Sequence, residues 1–129
     1  MLDPASGSFS YVNAGHDPLI IASAQGGLVR RLESTAFAVG MVEAAEFDAL
    51  AVEQTVTLGP GDLLFLFTDG VTEAEDRQGR QFSLERISTT VAGLPAKPAV
   101  AAISRALEDH LAGLPAGDDI TMLALSRRA

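Results

Sequence analysis

No cysteine occurs anywhere in the chain. Disulfides, thiolate zinc sites and cysteine nucleophiles are therefore excluded, and a reducing compartment is compatible with the sequence. Tryptophan is absent as well, and aromatic residues make up only 5%. A core must then rest on Leu, Val, Ile, Ala and six Phe. Positive charge is scarce: nine Lys and Arg stand against 17 Asp and Glu, a formal net charge of −8. Phosphate backbones are bound by Lys and Arg, so this balance argues against a nucleic-acid partner. It leaves a phosphorylated protein open, because a bound divalent cation inverts the sign of the local field. No apolar run approaches the roughly 18 residues that span a bilayer, and Met1 to Gly7 lacks the pattern of a signal peptide. The expectation is a soluble cytoplasmic protein with no membrane partner.

What is present is an ordinary globular balance, 47% hydrophobic and 20% charged over 129 residues. That suits a single domain, 1–129, around one core. Neither an internal repeat nor a low-complexity tract interrupts it. Phe9 to Val12 reads as a strand, Asn13 to Pro18 as a turn and Leu19 to Ala22 as the returning strand. Gln25-Gly26-Gly27 turns the chain again, and Leu28 to Leu32 continues the meander. Residues 33–46 mix Ala and Glu with an interrupting Gly40, which points to a loop. Val52 to Leu58 alternates, with Val52, Val56 and Leu58 on one face, as a half-buried strand does. Gly59-Pro60-Gly61 fits a type II turn, where Gly accepts positive φ at the third position. Leu63 to Phe67 is apolar on both faces, the mark of a central strand covered on both sides.

Two helical patterns follow. Ser83 stands where a cap would, ahead of Leu84, Ile87, Val91 and Leu94, with Gly93 as a stop. Pro98 suits the first turn of the next helix, whose apolar face is Val100, Ile103, Leu107 and Leu111, with Ala106 beside it. Gly113 and Pro115 end it, and Ile120 to Leu125 forms the last strand. Strands, two helices and one more strand predict an α+β layer: an antiparallel sheet with helices on one face.

Three carboxylates sit where chemistry is expected. Asp69 follows the most apolar strand directly, and it reads equally as the Asp of an Asp-Gly turn. Asp118 and Asp119 are adjacent and open the last strand. Neighbouring carboxylates repel unless a cation, a proton or water screens them, and adjacent strand residues point to opposite faces. One of the pair can face a site while the other faces solvent; an exposed turn after Pro115-Ala116-Gly117 is the plainer alternative. Hard divalent cations such as Mg²⁺ and Mn²⁺ take oxygen ligands, and strands ending at one sheet edge can bring Asp69 and Asp118 together. No His–carboxylate spacing typical of zinc accompanies them.

Four segments resemble a known family. Thr68-Asp69-Gly70-Val71-Thr72-Glu73-Ala74 is similar to the T-D-G-V-T-E-A segment of the PPM superfamily of metal-dependent protein phosphatases. The likeness is to the bacterial branch named for stage II sporulation protein E, which includes environmental regulators of sigma factor B. Ala14-Gly15-His16 with Pro18 resembles that branch's A-G-H-x-P turn, Gly59-Pro60-Gly61-Asp62 its P-G-D turn, and Gly117-Asp118-Asp119-Ile120-Thr121 its D-D-I-T segment. They occur in the family's order over almost the whole chain.

The resemblance implies an α-β-β-α sandwich of two antiparallel sheets flanked by helices, with two Mn²⁺ or Mg²⁺ ions between them. It implies a metal-activated water attacking phosphoserine or phosphothreonine, with no covalent phospho-enzyme. By motif position Asp69 would ligate one metal and Asp118 another, with Asp119 as the alternate to Asp118. Gly70 would let the chain turn close to the metal, and Glu73 would lie near the site, either contacting a metal-bound water or as a solvated surface charge. No side chain of this chain takes a direct catalytic role on that reading. The substrate would be a phosphorylated regulatory protein, such as an anti-sigma-factor antagonist.

The family's earlier motif, roughly G-D-V-x-G-H-G, supplies a bridging Asp and is not found in these residues. The expectation is the later, C-terminal part of such a domain, with one weak metal site at most. Strands that would pair with the earlier segment would expose edges, so a homodimer formed through those edges is expected. A non-catalytic interaction module on a degenerate phosphatase fold is the competing expectation. His16 reads as a turn histidine tied to backbone, His110 as packing on the second helix, Arg30 and Arg31 as surface residues, and Glu43, Glu46 and Asp48 as a solvated loop.

Overall fold

Apolar residues on both faces of Leu63 to Phe67 demand cover from both sides, and the computed structural model, which describes residues 1–128, provides it. The strands are β1 (Ser8–Tyr11), β2 (Leu19–Ala22), β3 (Val29–Leu32), β4 (Gln54–Thr57), β5 (Leu63–Phe67) and β6 (Met122–Ser126). The helices are α1 (Ala44–Leu50), α2 (Asp69–Thr72), α3 (Leu84–Val91) and α4 (Ala96–Leu111). Four strands form an antiparallel sheet in the order β3-β2-β5-β6, and β1 pairs with β4 in a second sheet.

Alternation along each strand sorts side chains into two cores. Phe65, Phe67, Leu63, Ile20 and Ala22 meet Ile87, Val91, Ala99, Ile103 and Leu107 of α3 and α4. On the opposite face, Leu64, Ile21, Leu19 and Leu32 meet Tyr11 and Val56 of the second sheet and Leu58 just beyond it. The layers are helix, sheet, sheet. The α+β reading therefore holds, and the fold matches part of the four-layered sandwich. Each fully buried large side chain contributes about 1.5–3 kcal/mol of burial, so β5, buried at four of its five positions, is the axis of the molecule.

Arg30 and Arg31 point to opposite faces of β3. The Arg31 Nε donates to the Ser88 hydroxyl of α3 at 3.1 Å, so it ties sheet to helix rather than lying free. The turn at 59–62 has the expected form: the Asp62 N–H reaches the Gly59 carbonyl at 3.1 Å, and Gly61 has φ +83°.

Several expectations need correction. Residues 33–46 are not all loop, because α1 begins at Ala44; that helix buries no residue and so leaves no apolar period to read. Val52 is 57% exposed and precedes the strand, which starts at Gln54. Ser83 stands at the head of α3 but makes no side-chain cap bond. Its φ of +72° turns the main chain so that its own N–H reaches the Thr72 carbonyl at 3.0 Å. Asp118 and Asp119 lie in a loop ahead of β6, which starts at Met122.

Candidate functional site

Phe67 at the end of β5 pairs with Met122 at the start of β6. The segments just beyond, 68–73 and 117–121, are therefore held side by side at one sheet edge. Thr68 fastens them: its N–H donates to the Thr121 carbonyl at 3.1 Å, its hydroxyl donates to the Asp119 carbonyl at 2.9 Å, and that hydroxyl oxygen receives the Thr121 N–H at 3.0 Å.

Asp69 opens α2, a single helical turn, where the Asp-Gly pair reads from sequence equally as a turn. Gly70 is buried, and a Cβ there would lie 2.5 Å from the Asp119 carbonyl oxygen and 3.3 Å from the Asp118 carbonyl carbon. The glycine is thus required by the approach of the 118–119 backbone. Asp69 Oδ1 receives the Gly70 N–H at 3.0 Å, and Asp118 Oδ1 receives the Asp119 N–H at 2.7 Å. Asp69, Asp118, Asp119 and Glu73 are all exposed.

The two motif carboxylates open on different sides of the junction. Asp118 lines a cavity of about 510 Å³ with Gly70, Glu73, Ala74 and Glu75. Asp69 lines a smaller one, about 180 Å³, with Gly15, His16 and Asp17. The backbones of the two loops meet, and Glu73 shares the Asp118 side. Among the described residues no group of three His, Asp or Glu is close enough to hold a metal. The donors are thus right in type for a hard cation and too few in number for a full coordination shell.

The Asn13 to Pro18 turn supplies the wall opposite Asp69. Asn13 is 4% exposed; its Oδ1 accepts the His16 N–H at 3.0 Å and its Nδ2 donates to the Asp17 carbonyl at 3.3 Å. The His16 Nδ1 lies 2.9 Å from the Asp17 carbonyl, which is the backbone-tied arrangement expected of it. Asp17 was missed by sequence reasoning. Its Oδ2 accepts from the Thr72 hydroxyl at 3.4 Å, linking this turn to α2. A carboxylate in a non-periodic turn carries no spacing signal; only its place between two motif residues, His16 and Pro18, marked it. A further cavity, about 570 Å³, extends from His16 and Asp17 along Thr35, Phe37, Met41 and Leu50. No helix among the described residues is long and apolar enough to cross a membrane.

A family model described as stage II sporulation protein E matches residues 1–128. Protein IcfG of Synechocystis sp. is 37% identical over 131 residues, covering 98% of this chain and 20% of the relative. A solved structure of the RsbU and RsbW domains of a Mycobacterium tuberculosis protein is 30% identical, with a TM-score of 0.74, over 99% of this chain and 34% of that one. The phosphatase domain of the Bacillus subtilis cell-fate determinant SpoIIE, presoaked with Mn, shares the fold at 16% identity. Its TM-score is 0.70, over 99% of this chain and 54% of that one. The chain thus spans about a fifth to a half of the length of the proteins it matches.

Proposed function

The chain belongs to the stage II sporulation protein E family, and from that premise we propose that it forms the later part of a metal-dependent protein serine/threonine phosphatase, with Asp69 and Asp118 as metal ligands. The observation that carries this reading is the apposition of the two motif loops: Gly70 lies against the 118–119 backbone, and both carboxylates face open cavities beside it. Asp119 is the weaker ligand candidate, because it is Asp118 that shares a cavity with Gly70 and Glu73.

A Mn²⁺ or Mg²⁺ ion held here would supply Lewis acidity toward a phosphoryl oxygen and a usable water nucleophile at neutral pH. The chain's own residues do the rest. The Gly70 N–H fixes the Asp69 carboxylate, the Asp119 N–H fixes Asp118, and Thr68 holds the two loops in register. Glu73 lines the same cavity as Asp118, where its carboxylate would orient a water by accepting its hydrogen bond. Hydrolysis joins a water oxygen to phosphorus and releases the serine or threonine hydroxyl. The substrate proposed is a phosphorylated regulatory protein, such as an anti-sigma-factor antagonist. The RsbW domain beside RsbU in the M. tuberculosis relative supports a regulatory partner.

A second reading has its own support: the carboxylates converge on no three-ligand group among the described residues. On that reading these residues serve as a non-catalytic interaction module. Hydrolysis of a small aryl phosphate by the full-length protein, with and without Mn²⁺, separates the two. Mn²⁺-dependent turnover lost in Asp69→Asn supports the phosphatase; turnover unchanged in that variant removes Asp69 from the ligand set. No turnover by the full-length protein favours the module.

Self-association is proposed through the outer edge of β6. Thr121 and Arg127 direct their main-chain groups to the β5 side, so by antiparallel alternation those of Met122, Ala124 and Ser126 face the free edge. Leu123 beside them is 55% exposed. Sedimentation should show a dimer that Leu123→Lys converts to monomer; a monomer throughout overturns the proposal.

A further inference from the structure

We infer that His110 is a positioning residue that clamps residues 74–82, the hairpin following the proposed metal edge, to α3 and α4, as a neutral ring with its proton on Nε2. The ring lies in the last turn of α4. Its Nε2 is 3.1 Å from the Ala74 carbonyl and 2.9 Å from the Arg80 carbonyl. Carbonyls only accept, so Nε2 carries a hydrogen. Its Nδ1 is 2.9 Å from Nη1 of Arg86. A guanidinium only donates, so Nδ1 presents a lone pair. Both demands select one tautomer, and a second proton on the ring would set donor against donor at Arg86.

The two carbonyls belong to opposite sides of a small hairpin, 74–82. The Phe82 N–H reaches the Ala74 carbonyl at 2.8 Å, the Asp76 N–H reaches the Arg80 carbonyl at 3.0 Å, and Glu75 bridges Gln81. The His110 ring therefore straddles the hairpin. Phe82 meets that ring edge-on at 5.4 Å, and the Arg86 guanidinium lies 4.7 Å over the Phe82 ring. Helices α3 and α4 thus grip the hairpin through Arg86 and His110. The other charged groups at this place are Asp76, Arg77, Arg80 and Asp109, which line the same cavity of about 300 Å³. Arg80 is bound to Asp76 at 2.7 Å, and Arg77 Nη2 donates to the Ala112 carbonyl at 3.1 Å.

Position makes the clamp functional. The hairpin is the direct continuation of α2 and Glu73, and Ala74, Glu75 and Asp76 form one wall of the Asp118 cavity. The chain leaving α4 just after His110 becomes the opposite wall, Leu114, Pro115, Gly117 and Asp118. One ring thereby ties the hairpin wall to the helix from which the Asp118 loop departs, and it supports from behind the spacing that Thr68 fixes directly. The consequence for metal binding rests on the proposed function; the clamp itself does not.

The test uses the full chain with ¹⁵N-labelled histidine, the second histidine being assigned by His16→Gln. The expected spectrum near pH 7.5 shows His110 with Nε2 protonated and Nδ1 bare. His110→Ala should speed amide exchange at Asp76 and Phe82 about tenfold. His110→Gln, whose Nε2 also donates, should restore most of that protection. Mn²⁺ affinity measured by calorimetry should follow the same order. A proton on Nδ1, or Ala and Gln variants that behave alike, overturns the inference. Should His110→Ala fail to fold, the spectrum of the unsubstituted chain and the Gln variant still decide. Should the full-length protein take up no Mn²⁺, the ligand reading of Asp69 and Asp118 fails, while the tautomer and exchange results still decide the clamp.

Discussion

Strand β5 carries an aspartate beside a glycine at each end, and the two do opposite things. At its start, both oxygens of Asp62 are taken by main-chain donors: the Gly59 N–H at 2.8 Å and the Ala24 N–H at 3.0 Å. Asp62 therefore braces its own turn and pins the β2–β3 turn against it. At the far end, Asp69 holds only its neighbour's N–H and is exposed beside a cavity. A carboxylate consumed by the fold has little left for a ligand, whereas one held on a single side is oriented and still free to bind. The same residue type thus divides into brace and candidate ligand according to which backbone comes round to meet it.

Four experiments would break or sharpen that contrast. The largest effect is expected at the far end, from the glycine rather than the aspartate. Gly70→Ala forces a Cβ to 2.5 Å from a carbonyl oxygen, and overpacking of this kind costs about 1–3 kcal/mol. Chemical denaturation should show a loss near the top of that range, since the atom in the way is backbone.

Asp62→Ala removes two charge-assisted bonds and should cost about 2 kcal/mol by the same measurement; a loss below about 0.5 kcal/mol would end its description as a brace.

Asp76 offers an intermediate case. Its oxygens accept from the Arg80 N–H at 3.0 Å, the Arg80 Nε at 2.7 Å and the Gln78 N–H at 2.9 Å. These bonds, the Arg80 main-chain one foremost, lower its pKa from 3.8 to about 2. Because the folded value lies below the ordinary one, this contribution is whole above about pH 4 and is lost as pH falls through about 2. A carboxyl-carbon NMR titration should find its midpoint near 2 and the hairpin amide shifts moving with it. A midpoint near 4 would place Asp76 with the free carboxylates.

The smallest effect is expected from Asp69→Asn. It should leave stability within about 0.5 kcal/mol while weakening Mn²⁺ uptake measured by calorimetry. A large stability loss would make Asp69 a second brace.

Much of this was legible in the residues. β2 was read to its ends because four apolar residues stand between a proline turn and a glycine turn, and β5 was recognised as central because both of its faces are apolar. The α1 helix was not readable: seven residues that bury nothing have no period to display. The positive φ of Ser83 was hidden for a different reason, since only the packing of the hairpin base against Thr72 demands it. At the candidate site the family resemblance pointed to Asp69, Gly70, Glu73 and Asp118, with Asp119 as the alternate. Their partition between two cavities, the presence of Asp17 beside Asp69 and the hydrogen-bond pattern of His110 depend on segments 24 to 55 residues apart. Local patterns cannot encode contacts of that range.

By itself, then, the sequence determined the strand alternation of an antiparallel sheet, the helical stripes that cover one of its faces, and the motifs that mark the family. These are short-range consequences of side-chain period and turn chemistry. Tertiary structure decided which aspartate became a brace and which stayed open, and which histidine proton faces the hairpin. Those outcomes depend on the backbone donors and acceptors that arrive from distant segments, and an Asp or His is polar enough to serve either role until its partners are in place.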